Sequence, residues 1–104
     1  MALTKYHNIL GATSVSQTLI PAGERINRIK SISLANVHTA DATVSLSLTK
    51  SGTTFYLIKS LVIPTGSTLI LDDSDLISFN NNSQEFSLTI TVGSSDKVDV
   101  KINT

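Results

Sequence analysis

Thr43-Val44-Ser45-Leu46-Ser47-Leu48-Thr49 is the stretch whose pattern decides the fold class of this chain. Val44, Leu46 and Leu48 fall on one side of a period-two alternation and the threonines and serines on the other, which describes a strand with one buried face. Lys50-Ser51-Gly52-Thr53 follows as a turn in which glycine offers positive φ. Thr54 to Leu61 then resumes with aromatic and branched residues, so the two runs read as a β-hairpin. The alternation recurs in Phe86-Ser87-Leu88-Thr89-Ile90-Thr91-Val92 and stops at Gly93-Ser94-Ser95-Asp96. Val98, Val100 and Ile102 share one face of a last strand, which predicts a second hairpin at the C-terminus.

Shorter strands fill the remainder. Val15 to Ile20 is a first strand closed by Pro21-Ala22-Gly23-Glu24. Ile26 to Asn36 breaks alternation once, and its Ser31-Ile32-Ser33-Leu34 half argues for a strand with a bulge near Ile29 rather than a helix. Pro64-Thr65-Gly66-Ser67 separates Leu61-Val62-Ile63 from Thr68-Leu69-Ile70-Leu71 by a tight reversal, and polar turns bracket a short strand at Leu76-Ile77-Ser78-Phe79. About eight short strands with closely spaced turns predict an all-β fold, a single antiparallel β-sandwich of the jelly-roll kind.

Composition agrees. Among 104 residues there are seven Val, eleven Ile and thirteen Thr, all branched at Cβ, and fifteen Ser. Charged residues make up only 15%, so the polar strand faces are mostly Ser and Thr. Such side chains lose less rotamer freedom than Lys or Glu when a partner covers them, which suits lasting contact with other subunits. Eight basic residues balance eight acidic ones, removing the phosphate attraction on which nucleic-acid binders rely. No run approaches 18 apolar residues and the N-terminus has no basic region followed by an apolar one, so neither a membrane span nor a signal peptide is expected.

Chemistry-bearing residues are sparse. His7 and His38 stand without companions, and the absence of Cys removes a thiolate nucleophile and a cysteine zinc site. Asp72-Asp73-Ser74-Asp75 is the one dense carboxylate group, but it lacks the glycine and the distal Glu of a calcium loop and reads as a turn at a strand end. Asn81-Asn82-Ser83 matches a glycosylation triplet only by composition. No catalytic, cofactor-binding or metal-binding residues are expected, and an enzyme is the least favoured class.

From Ile26 to Ile102 the chain resembles small β-sandwich virion proteins of tailed bacteriophages, of the tail, neck and capsid-decoration type. The resemblance is carried by Ile29-Lys30-Ser31-Ile32-Ser33-Leu34-Ala35-Asn36, Ala42 to Leu48, Tyr56-Leu57, Ile63-Pro64-Thr65-Gly66-Ser67-Thr68-Leu69 and Val98-Asp99-Val100-Lys101-Ile102. Asn36 and the proline-glycine turn are its most specific points. It implies a non-enzymatic structural protein that is made in the host cytoplasm and resides in the virion. The partners it implies are other virion proteins, in a homo-oligomer or symmetric assembly, with neither nucleic acid nor membrane. A carbohydrate- or receptor-binding module of a phage fibre is the alternative.

The first twelve residues show no period. They are expected to form an extended N-terminal arm over 1–12, ahead of a sandwich domain over 13–104. Leu3, Tyr6, Ile9 and Leu10 are its apolar residues and the candidate partner-binding set.

Overall fold

The computed structural model describes residues 4–21, 29–73, 77 and 86–104. They contain the strands β1 (Thr4–Leu10), β2 (Ser16–Ile20), β3 (Ser31–Asn36), β4 (Ala42–Lys50), β5 (Thr53–Ile63), β6 (Thr68–Leu71), β7 (Ser87–Val92) and β8 (Lys97–Asn103). Two four-stranded sheets result, with orders β1-β8-β3-β6 and β2-β7-β4-β5. The pairings β1 with β8, β2 with β7, β3 with β6 and β4 with β5 are all antiparallel. The first half of the chain therefore runs back along the second as one long folded ribbon, hinged at Ser51-Gly52. Successive rungs of the ribbon go to alternate sheets, and the β3–β8 and β4–β7 pairings join them side by side. That is the jelly-roll arrangement of a β-sandwich.

One apolar face per strand fills the space between the sheets. Ile32 and Leu34 of β3, Val44 and Leu46 of β4, Leu88 and Ile90 of β7, and Val98 and Ile102 of β8 are all fully buried, in the alternation expected of half-buried strands. In β2, Leu19 and Ile20 are both buried although neighbours on a strand normally face opposite ways. A register shift between Thr18 and Ile20 supplies the extra residue that turns both inward. The accessible surface is 5747 Å², against roughly 5,700 Å² from mass scaling for a well-folded chain of this size.

The structure corrects several details. The hairpin at Ser51-Gly52 forms, with Lys50 opposite Thr53. The expected C-terminal hairpin does not, because β7 and β8 lie in different sheets and residues 93–96 arch between them. Residues 64–67 likewise cross from β5 in one sheet to β6 in the other. At the N-terminus the expected arm is, over its described part, an edge strand. From Thr4 to Leu10 every residue is in register with β8, because the outer edge of β8 offers a free ladder and Ile9 fills the core beside Val98. The Ile77 N–H donates to the Asp73 carbonyl at 3.1 Å, the bonding of a helical turn, so Ile77 does not continue a strand; the rest of 76–79 lies outside the described residues. Of the strand expected over 26–36, Ser31–Asn36 form β3, Ile29 and Lys30 precede it outside any strand and so carry no bulge, and 26–28 lie outside the described residues.

Candidate functional site

Each outer face carries the residues that alternate with the core. On the β2-β7-β4-β5 sheet they form hydroxyl rows, Ser16–Thr91–Ser45 and Thr18–Thr89–Ser47, running across three strands in register. The Ser16 and Thr91 hydroxyls lie 3.0 Å apart in a hydrogen bond. Across β2, β7 and β4 the sparse charge of the sequence thus becomes an uncharged face, in which Ser47 is buried beside Tyr56 of β5.

The two sides of the sandwich, where the sheet edges meet, are unlike. On one, β1 and β2 close the core with Ile9, Leu19 and Ile20, all wholly buried. On the other, the short connection 64–67 stacks the β5 edge over the β6 edge, and a hollow of about 180 Å³ lies between Leu61, Val62, Pro64 and Leu69. There Leu57, Ile58, Leu69 and Leu71 pack against the core only partly buried. Phe55 and Leu61 are exposed at this edge, and on the outward faces of the two edge strands so are Tyr56, Val62 at 53% and Ile70 at 61%, in register with Ser47, Thr43 and Ser33. Phe55 meets Phe86 edge-on at 6.0 Å between centroids, and Lys59 lies over the Tyr56 ring at 5.1 Å. Ser60 has φ 55, and the register of β4 against β5 shifts around Leu46, so β5 is bent rather than flat at mid-length.

A second concavity, of about 460 Å³, opens on the β1-β8-β3 sheet beside Tyr6, Asn8, Ser33, Asp99 and Lys101. The Asn8 side-chain amide donates to Asp99 Oδ1 at 2.6 Å.

Of the four residues expected to meet a partner, Leu3 lies outside the described residues. Ile9 is in the core, Leu10 is half-buried, and only Tyr6 is open to solvent, at 73%. Burial of Ile9 corrects its assignment as a docking residue. His7 sits on the core side of β1, in register with Val100, and His38 lies in a turn where its backbone N–H is held by Asn36 Oδ1 at 2.8 Å. Asp72 and Asp73 are exposed and Asp75 is outside the described residues; among those described, no group of three His, Asp or Glu is placed to hold a metal ion. No described helix is long and apolar enough to cross a membrane.

Sequence reasoning read Thr54 to Leu61 as a hairpin strand without marking it as a contact surface, and it passed over Ile70 and the Asn8–Asp99 pair. A signal for β5 was present: Phe55-Tyr56-Leu57-Ile58 and Leu61-Val62-Ile63 are unbroken apolar runs, where a strand with one watered face alternates. Comparison with known proteins gives no match, whether to a protein-family model, a curated protein or a solved structure.

Proposed function

We propose that the chain is a non-enzymatic structural subunit of a symmetric protein assembly, a virion component of the capsid-decoration, neck or tail kind whose strand pattern it resembles. The observation that carries this reading is the uneven closure of the sandwich: the β1/β2 side buries its apolar residues and the β5/β6 side leaves them half in water. Fully covering one large aliphatic or aromatic side chain contributes about 1.5–3 kcal/mol, so finishing the burial of five or six of them can hold a subunit in place.

A second copy of the chain is the natural occupant. β5 is the longest strand, 11 residues or about 36 Å, and it pairs with β4 on one side only among the described residues. Its bend at Ser60 and the charge of Lys59 disfavour open-ended strand addition, while leaving the apolar side chains free to pack in a closed, symmetric contact. Hydroxyl-rich faces with balanced charge add no long-range repulsion between copies.

Sedimentation equilibrium tests the assembly. The wild-type chain is expected to be oligomeric at micromolar concentration, to remain so in about 0.5 M salt because the contacts are apolar, and to become monomeric with Val62→Lys or Tyr56→Lys. A monomer at all accessible concentrations defeats the reading. The virion assignment has its own check: the gene should lie among phage structural genes, and an isolated bacterial locus counts against it.

A further inference from the structure

On the outer face of the β1-β8-β3-β6 sheet, Tyr6, Lys101 and Ser33 stand side by side in one row, and Asn8 and Asp99 in the next. These five side chains border the 460 Å³ concavity. We propose that this hollow is a binding site for a neutral saccharide.

Tyr6 supplies the first part. Its ring is 73% exposed on a strand whose other described outward residues are Asn8 and the half-buried Leu10. An exposed aromatic ring presents a flat apolar face with a polar tip, which matches the alternating C–H and hydroxyl faces of a sugar ring. Asp99 supplies the second. With Oδ1 occupied by the Asn8 amide at 2.6 Å, the carboxylate is oriented, and Oδ2 can accept from a sugar hydroxyl. Lys101 adds a donor and Ser33 a group that both donates and accepts, the mixture that vicinal hydroxyls require.

Charge selects among sugars. Asp99 and Lys101 are opposite in charge, so the hollow offers no pair of cations to hold the carboxylate of a sialylated glycan or the sulfate of a sulfated one. Its volume is within the usual range for small-ligand sites, and the bordering residues sit on three hydrogen-bonded strands rather than loops, so little ordering is needed on binding. None of them belongs to β5 or β6, although Ile70 of β6 stands next to Ser33 at the end of the same row, and the proposal does not depend on the assembly reading.

Saturation-transfer NMR of the whole chain with millimolar glucose, galactose, mannose and N-acetylglucosamine tests it, with sialic acid and a sulfated hexose alongside. At least one neutral sugar is expected to give transfer, Tyr6→Phe to keep it, and Tyr6→Ala and Asp99→Ala each to weaken binding at least tenfold. Both positions are exposed, and the thermal midpoint of each variant confirms that it is folded. Silence from every neutral sugar, binding confined to the charged sugars, or binding indifferent to both alanine variants overturns the proposal.

Discussion

The side-chain amide of Asn36, the last residue of β3, donates to the backbone carbonyl of Ile63, the last residue of β5, at 2.8 Å and so ties one sheet to the other. The same amide reaches the Ala40 carbonyl at 3.0 Å, and its oxygen accepts the His38 N–H at 2.8 Å. Its backbone is engaged as well: the Asn36 N–H donates to the Ser67 carbonyl at 2.9 Å, and its carbonyl accepts from the Gly66 N–H at 3.3 Å. The asparagine and the proline-glycine turn that stand out in the sequence are thus two halves of one junction, in which Asn36 is buried and the turn is exposed. Asn36→Ala removes three side-chain bonds and leaves buried groups unsatisfied, so a loss of about 2–4 kcal/mol is expected in urea melts. Asn36→Asp should be at least as damaging, since a carboxylate would face the Ala40 and Ile63 carbonyls. A change below about 1 kcal/mol for the alanine variant would show that the junction does not hold the sheets together.

Leu46 and Leu88 lie on the central strands of one sheet and both are fully buried. Truncation of either to Ala should cost about 2–5 kcal/mol, the range for buried leucines whose cavity cannot collapse. Values under about 1 kcal/mol for both would mean that the faces of β4 and β7 are reversed.

The strands β2 to β8 were legible in the sequence; β1, whose residues show no period, and sheet membership were not. Ile63 and Leu69 flank one junction, Val92 and Val98 the other, and in each the inward residues are six positions apart. That spacing suits a hairpin, in which both residues sit on one sheet, as well as an arch, in which they face each other across the core. What decides for the arch is long-range: β8 finds partners in β1 and β3, and β7 in β2 and β4. Tyr6 was legible as a residue in search of a contact, but its neighbours Asp99, Lys101 and Ser33 come from strands distant in sequence, which local pattern does not bring together.

Two glycines separate crowding from conformation. A Cβ on Gly11 would stand 1.9 Å from the Gly93 carbonyl oxygen, and the Gly11 N–H donates to the Asp96 carbonyl at 2.8 Å, so neither backbone can yield freely. Gly11→Ala should therefore exceed the 1–3 kcal/mol typical of overpacking. A Cβ on Gly52 would meet nothing within 4 Å, but its φ is +81°, so Gly52→Ala should cost only the 1–2 kcal/mol of a left-handed residue. Equal losses at the two positions in chemical denaturation would contradict this division.

Ser51 precedes Gly52 with φ 51, giving the two-residue β4–β5 loop positive φ at both positions, as in a type I′ turn. Asn adopts that conformation more readily than Ser, so Ser51→Asn should stabilise the chain by about 0.5 kcal/mol. A lowered urea midpoint would rule out that turn geometry.

Asp96 links the arch to both sheets and makes the N-terminal segment part of the fold. Its Oδ2 accepts from the Thr43 N–H and the Gly93 N–H, each at 3.0 Å, while its carbonyl holds Gly11 just beyond β1. Removing residues 1–12 would take away this contact, the ladder along β8 and the buried Ile9 side chain together. Loss of a buried isoleucine alone costs about 2–5 kcal/mol. For a domain of this size each kcal/mol moves the thermal midpoint by about 4–8 °C, so a chain beginning at Thr13 should melt more than 10 °C below the full-length protein, if it folds at all. A smaller shift would mean that β1 is an accessory to the sandwich and would return the segment to the role of a docking arm.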